Sequence, residues 1–586
     1  MAKVNLTING KAIEAKAGQT VLQVALENGV YIPSLCYHPD MRPGGVCRVC
    51  VVEVKGSRVL PASCTLPVVE GMEVQTQTTK VREARKMVVE LMLANHPQEC
   101  LTCSRNQTCE LQTLAVENGV RNIPFEGEHR HLPIDLSSTS IIRDPDKCVL
   151  CQRCVRVCHQ VQSVGSIFTS NRGWDTEVGP AFGMDLDQTA CVYCGQCVAH
   201  CPTGALETVS PAGDVWRALN DKTKHVVVQT APAVRAAIGE EFGLPAGTTV
   251  AGKMVAALRS LGFDKVFDTD FTADLTIMEE GSEFIQRLKE GGTLPMITSC
   301  SPGWVNFCEM FFPDMLGHLS TCKSPQQMFG ALAKTYYAEK AGIDPADMIV
   351  VSIMPCTAKK YECQRPEMNS SGFQDVDYVL TTRECATMMK EAGIYLAGLD
   401  DQEFDAPFGI ATGAGVIFGA TGGVMEAALR TVYEVLTGDA LPGLDITSVR
   451  GTEGLKEATL DIGGLKVKTA VVNGLANARE MMEKIRCGEA DYHFIEVMTC
   501  PGGCLGGGGQ PYLNTPEIRS KRAEAIYQLD KDLPLRKSHE NPAIKALYAE
   551  FLGEPLGHKS HELLHTHFTA KDPYAAFDQP IELSEI

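Results

Sequence analysis

The apolar positions of this chain fall into three regimes. In residues 1–78 they alternate over short runs. Residues 4–8 and 11–15 read as two strands, with Asn9-Gly10 between them, a pair suited to the left-handed backbone of a two-residue hairpin. Residues 20–28 then read as a helix that Thr20 caps and Gly29 closes. Between about 80 and 210 the apolar runs are short and broken by cysteines, apart from a helical stretch at 81–94. From about 222 the pattern is α/β. Apolar runs at His225–Thr230, 265–269, Met348–Met354 and 376–381 predict buried strands, and 250–261 predicts an amphipathic helix. Strand then alternates with helix, so mostly parallel pairing is expected. Past Pro511 the chain turns helical and polar.

Length and composition narrow the class. A chain of 586 residues implies about four domains, and 44% apolar residues suffice for packed cores. The net charge of −19, with both signs spread along the chain, argues against nucleic acid and anionic membrane surfaces as partners. The first eight residues alternate like a strand, and no run of 18 apolar residues occurs. No membrane span and a reducing cytoplasm are therefore expected. The 24 cysteines are clustered in CxxC spacings, which points to metal rather than a disulfide framework.

Cys36, Cys47, Cys50 and Cys64 follow C-x10-C-x2-C-x13-C, so one loop supplies three ligands and a later residue the fourth. Gly44 and Gly45 let that loop wrap a cluster; a [2Fe–2S] centre is expected, with four-thiolate zinc as the alternative. His96, Cys100, Cys103 and Cys109 suit zinc and an iron–sulfur cluster equally well. Cys148, Cys151, Cys154 and Cys158, followed by Cys191, Cys194, Cys197 and Cys201-Pro202, repeat the bacterial ferredoxin motif, in which the fourth cysteine crosses over. One cubane should take Cys148, Cys151, Cys154 and Cys201; the other should take Cys158, Cys191, Cys194 and Cys197. The first run ends in His159 where proline is usual.

In residues 497–511 two thiols, Cys500 and Cys504, share a run with six glycines. Glycine loses too much backbone entropy for a helix or strand there. The run is a loop whose backbone comes close to something. Cys300 in residues 296–304 and Cys356 in 352–362 each follow a strand-like run and precede a helical one. Three such turns can converge at a sheet edge, where α/β folds place ligands. The Gly-rich residues 412–423 lack GxGxxG and the Walker lysine, so tight packing near the site is expected rather than nucleotide binding. Cys308, Cys322, Cys363, Cys385 and Cys487 lack ligand spacing and read as core or unpaired thiols. His558, His561 and His565, with His567 nearby, are spaced to share a helix face. A docking helix is expected there, and a metal site is the alternative.

The three loop segments resemble the signature motifs of iron-only ([FeFe]) hydrogenases, and with the amino-terminal cysteines the resemblance covers most of the chain. It implies an H-cluster: a [4Fe–4S] cubane joined through one cysteine sulfur to a two-iron centre carrying CO, cyanide and a bridging dithiolate amine. It also decides the amino-terminal sites, implying a complex I-like [2Fe–2S] head and a His-ligated [4Fe–4S] cluster beside the two ferredoxin cubanes. The implied fold is multidomain α/β. A β-grasp [2Fe–2S] ferredoxin-like head spans 1–78 and a His-ligated cluster domain 79–120. A 2[4Fe–4S] ferredoxin domain spans 138–210, a two-lobed H-cluster domain 222–511 and a short helical domain 512–586.

By position Cys356, Cys500 and Cys504 match cubane ligands, and Cys504 matches the bridging one. Lys359 matches a lysine that hydrogen-bonds a cyanide. Met354 and Met498 would pack against the irons, with Ala231 and Pro232 on the other side. Cys300, Glu280, Ser320 and Glu283 match a proton path to the surface. The chain departs from the family where a second cysteine is usual and Ser301 stands instead. Either Ser301 ligates through oxygen and Cys300 relays protons, or the loop shifts and Cys300 becomes the metal ligand. The substrates would be H2 and protons. With no nucleotide site in the chain, flavin/NAD(P)-binding and Fe–S partner subunits are expected, with ferredoxin entering in a bifurcating scheme. The rivals are a single-chain ferredoxin-linked hydrogenase and a non-catalytic hydrogenase-like Fe–S scaffold.

Overall fold

The computed structural model describes residues 2–125 and 129–573. The last thirteen residues of the expected carboxy-terminal domain lie outside it.

The head follows its sequence closely. Strands Lys3–Ile8 and Lys11–Lys16 pair antiparallel, and Asn9 and Gly10 both take positive φ, as the tight turn requires. Met72–Gln75 lies parallel to the first strand and Glu53–Val54 closes the sheet. The helix Val21–Glu27 starts in a full capping box, Thr20 with Gln23. A second helix, Thr79–Ala94, leads to the His96 site. In the ferredoxin region the short helices Arg153–Arg156 and Gln196–His200 lie within the two cysteine runs, carrying Cys154 and Cys197, and Ile141–Arg143 pairs with Leu206–Thr208.

The large domain contains two four-stranded sheets. In the first, Lys265–Asp268, His225–Thr230, Met348–Met354 and Tyr378–Thr381 lie side by side, all parallel. The expected strand at 265–269 is one residue shorter, because Asp268 caps a 22-residue helix, Thr269–Glu290. The second sheet runs Met296–Ile297, Phe494–Met498, Leu465–Asn473 and Leu455–Ile462, and its last pair is an antiparallel hairpin that the sequence reading did not mark. Cysteine loops leave the carboxyl ends of Met296–Ile297 and Phe494–Met498 in this sheet and of Met348–Met354 in the other, so the loops meet between the sheets.

The carboxy-terminal segment covers the large domain. Helix Pro516–Asp532 packs Ile526 into the core around Phe418 and Leu505. Its Arg519 reaches back to the head and holds Asp40 with two hydrogen bonds, at 2.9 and 2.6 Å. Arg156 donates to the carbonyls of Cys36, Arg42 and Cys151, tying the head to the first ferredoxin run. Helix His558–Leu564 ends before His565, which is extended. His558 and His561 therefore share the helix while His565 lies beyond it, which overturns the expected common face. No helix among the described residues is long and apolar enough to cross a membrane.

Candidate active site

The accessory cysteines gather as their spacing requires. Cys148, Cys151, Cys154 and Cys201 line one cavity, so the crossover of the fourth cysteine is present in three dimensions. Cys158, Cys191 and Cys197 face one another, and Cys194 of the same run faces Cys500. His96, Cys100, Cys103 and Cys109 line a third cavity. In the head, Cys36 contacts Cys47 and Cys64, and Cys64 contacts Cys50; all four are buried. His96 is held neutral, its pKa lowered to about 4 by burial and by Lys147, so its imidazole is available as a ligand.

Between the two sheets lies a cavity with almost wholly apolar walls. Its walls include Cys356, Cys500 and Cys504, the Cys300-Ser301 pair, Lys359, Met354 and Met498, and Ala231 and Pro232 on the other side. The glycines explain how the 500–509 loop closes it. A side chain at Gly507 would meet the Pro355 carbonyl at 2.1 Å, and one at Gly508 would meet the Cys194 carbonyl at 2.5 Å. Gln196, between two ferredoxin cysteines, donates to the Gly506 carbonyl at 2.8 Å. Thr357 donates to the Tyr193 carbonyl at 2.7 Å. The loop is thus pressed against the ferredoxin domain. The glycines at 413–423 serve packing too: a side chain at Gly415 would meet the Asp270 carbonyl and one at Gly419 the Ala233 backbone.

Burial pushes the thiols of Cys356, Cys500 and Cys504 upward, Cys504 to about 12. Three neutral thiols around one cavity become thiolates only with a metal's positive charge among them. Lys359 is the cation beside them. Its ammonium donates to the Cys300 carbonyl (3.2 Å) and to Glu362 (2.8 Å). Glu362 accepts from Ser324 as well, so the lysine is fixed from behind. The Ser301 hydroxyl lies 2.8 Å from that of Thr499 and accepts the Thr499 N–H at 3.3 Å. Cys300 instead faces Glu280, Lys359 and Cys504.

Outward from Cys300, the helix Thr269–Glu290 carries Glu280 and Glu283 on one face. Glu280 is fully buried, and neither of its oxygens has a hydrogen-bond partner among the described residues. Burial, then the charge of Glu283, lift its pKa to about 8. Ser320 donates to Glu283 at 2.8 Å, and Arg287 donates to it at 2.6 Å. The carboxyls alternate with hydroxyl and thiol groups from the cavity towards the surface.

Five family profiles match the chain in order. They are a 2Fe-2S iron-sulfur cluster binding domain (residues 1–79), the NADH-ubiquinone oxidoreductase-G iron-sulfur binding region (85–124) and a 4Fe-4S dicluster domain (147–205). The iron only hydrogenase large subunit, C-terminal domain (224–508), and the iron hydrogenase small subunit (516–571) follow. The NADP-reducing hydrogenase subunit HndD of Solidesulfovibrio fructosivorans is 53% identical over 97% of this chain and 99% of its own. The chain belongs to the iron-only hydrogenase family. Iron hydrogenase 1 of Clostridium pasteurianum is 41% identical over 96% of this chain and 99% of its own. A solved structure of a variant of the [FeFe]-hydrogenase HydA1 from Chlamydomonas reinhardtii is 46% identical. It superposes with a TM-score of 0.57, covering 62% of this chain and all of the other.

In this hydrogenase several charged groups stand around the expected site residues without having been expected from the sequence. Glu496 is buried beside the site and accepts from the N–H groups of Gly422 (2.6 Å) and Met425 (2.8 Å). Glu362 holds Lys359, and Arg287 caps Glu283. An i, i+3 or i, i+4 spacing flags the last two, since Lys359–Glu362 and Glu283–Arg287 each share a helix face. Nothing local flags Glu496. The histidine cluster near the end does not read as a metal site, because both ring nitrogens of His565 are engaged, with Thr321 (2.8 Å) and Glu279 (3.1 Å).

Proposed function

We propose that this chain is the catalytic subunit of an NADP-linked hydrogenase that oxidises H2 reversibly to protons and electrons. The observation that carries this reading is the cavity itself: Cys356, Cys500 and Cys504 beside Lys359, with Cys300 and Glu280 leading away. An Fe–S scaffold would need the thiols but not a buried lysine or a carboxyl held near neutrality.

When bound, the H-cluster supplies the redox-active metal at which H2 is split. The chain does the rest. Cys356, Cys500 and Cys504 would hold the cubane, and Lys359 would offer a fixed cation to an anionic ligand. Met354, Met498, Ala231 and Pro232 keep the pocket apolar. Cys300 faces Glu280 and so takes the relay role. Ser301 takes the fourth ligand position: its oxygen already accepts the Thr499 N–H, an interaction that favours a deprotonated oxygen. Glu280 then passes the proton by way of Ser320 to Glu283.

The Cys158/Cys191/Cys194/Cys197 set, whose Cys194 faces Cys500, would hold the cubane nearest the active site, and the Cys148/Cys151/Cys154/Cys201 set, the His96 set and the head cysteines would hold the clusters that supply an electron route outward. The set amounts to one [2Fe–2S], three accessory [4Fe–4S] clusters and the H-cluster. The 53% identity to an NADP-reducing hydrogenase subunit supports a hetero-oligomer; in this proposal a separate flavin subunit binds the nicotinamide and the complex works in the cytoplasm. The test uses the purified, matured chain. It should reduce an artificial dye with H2 but reduce neither NAD nor NADP until partner subunits are added. Nicotinamide reduction by the single chain refutes the division of labour, and no dye reduction by an iron-loaded chain refutes the hydrogenase reading.

A further inference from the structure

Arg156 is buried where the head meets the first ferredoxin run. It is the last residue of the short helix Arg153–Arg156, and its guanidinium lies across two loops that carry cysteines of different sets. One terminal nitrogen donates to the Arg42 carbonyl at 2.8 Å. The other donates to the carbonyls of Cys36 in the head and Cys151 in the ferredoxin run. Nε donates to the Gln152 carbonyl at 3.3 Å. Gly44 leaves the room for this arrangement, since a side chain there would meet the guanidinium carbon at 3.2 Å. Gln160, one turn further on, accepts the Arg42 N–H at 3.0 Å, so Arg42 is gripped at both its N–H and its carbonyl.

The charge on this guanidinium is answered by no hydrogen-bonded carboxylate. Every hydrogen-bond partner it has among the described residues is a backbone carbonyl. Arg153 is the contrast. It is buried beside the same two cysteines, but Glu110 holds it with two hydrogen bonds, at 2.6 and 2.9 Å, and offsets its charge. A buried charge is costly unless an opposite charge stands near. The cysteines on either side of Arg156 can supply it. Those of the head are buried and in contact, and Cys148, Cys151, Cys154 and Cys201 line one cavity. Both sets fit an iron–sulfur cluster, and four thiolates around such a core leave it anionic.

We propose that Arg156 is a positioning residue that binds the Cys36 and Cys151 loops to one fixed positive charge, so that electron uptake is eased at both sites together. This rests on the reading that the head set holds a [2Fe–2S] cluster and the Cys151 set a cubane. The potential of such a centre follows its net charge and its hydrogen bonds, and a cation beside it favours the more negative, reduced form. The guanidinium stays protonated throughout, so an electron released from H2 arrives and leaves with no proton exchanged at Arg156 and no bond made or broken there. The planar fork is what the place requires. One group reaches carbonyls of three separate segments, which the point charge of a lysine does not.

The test uses the matured full-length protein and an anaerobic potentiometric titration followed by electron paramagnetic resonance, with iron analysis alongside. The [2Fe–2S] signal persists to higher temperature than the cubane signals, which separates the two. Arg156→Met removes the charge at similar length. It should lower the equilibrium constant for reduction at least about tenfold in the [2Fe–2S] signal and in one component of the cubane signal, about 59 mV more negative for a one-electron centre. Arg156→Lys keeps the charge without the fork, so it should stay within about threefold of the parent while hydrogen exchange rises around residues 36–42. Glu110→Gln leaves the Arg156 contacts intact and releases the charge of Arg153, so it should move both signals the other way by at least about threefold. If Arg156→Met takes up no iron, the other two variants decide. A shift below about threefold in Arg156→Met, a shift in one signal alone, or a tenfold loss in Arg156→Lys overturns the proposal. Unmoved potentials in Glu110→Gln overturn it as well. A parent protein that holds its iron without a [2Fe–2S] signal refutes the cluster reading, and the role of Arg156 falls with it; both signals present and unmoved by the variants refute the role of Arg156 alone.

Discussion

Replacing Glu280 by glutamine should harm turnover and help the fold, and the two effects should part with pH. The Glu280 carboxyl sits unpartnered in the protein interior with its pKa raised from 4.5 to about 8. In the unfolded chain it ionises at its ordinary value. Between the two, the folded protein holds a proton that the unfolded chain has lost, so stability falls as pH rises. The slope is about 1.4 kcal/mol per pH unit over a window of about 3.5 units, an upper bound on the order of 5 kcal/mol. Glutamine does not titrate and removes that slope. The unfolding midpoint of the matured protein, measured anaerobically between about pH 5 and pH 8, should therefore fall more steeply with pH in the parent than in Glu280→Gln. Below about pH 4.5 the pH-dependent difference should vanish. Over the same range, dye-linked H2 oxidation should drop by about 10²- to 10⁴-fold in the variant, the scale of a lost acid–base group. Infrared bands of CO and cyanide should stay in place, showing that the H-cluster was loaded. Parallel stability profiles would show that Glu280 is not held neutral. A loss of turnover below about threefold would show that protons bypass it.

Metal analysis of the matured chain should return about 20 iron atoms and no zinc, for two-, four- and six-iron centres at the sites described; stoichiometric zinc bound by His96, Cys100, Cys103 and Cys109 would overturn the cluster there. Ser301→Cys should load the H-cluster normally and shift the paramagnetic spectrum of its cubane, because a thiolate replaces an oxygen ligand; an unchanged spectrum would move the fourth ligand away from Ser301. Asp40→Ala should leave the buried Arg519 without its bidentate partner, at a cost of about 3–5 kcal/mol, and loosen the head. Hydrogen exchange should then rise around residues 36–50, and unchanged protection there would refute that contact as the latch.

The gathering of the cysteines into sets was legible in the sequence because a metal site calls for both a residue type and a short spacing. Cys148, Cys151 and Cys154 lie three apart, the spacing that lets one loop serve one cluster, and the crossing of Cys201 follows from the duplication. The head's hairpin and capped helix were legible for the same local reason: Asn9-Gly10 and the Thr20–Gln23 box fix the backbone within a few residues. The glycines of the 500–509 loop announced a close approach, though not to what. Tertiary structure decided that they press on Pro355 and on the carbonyl of Cys194, bringing the ferredoxin run against the catalytic loop. It also decided everything that works by charge across distance. Glu496 meets Gly422 from 74 residues away, Asp40 meets Arg519 from 479, and Glu279 meets His565 from 286. The expected helix face of histidines failed because His565 leaves the helix to reach Thr321 and Glu279. A coordination sphere is written in short repeats, but a buried charge is matched by whichever partner the folded core brings near, and no spacing rule records that choice.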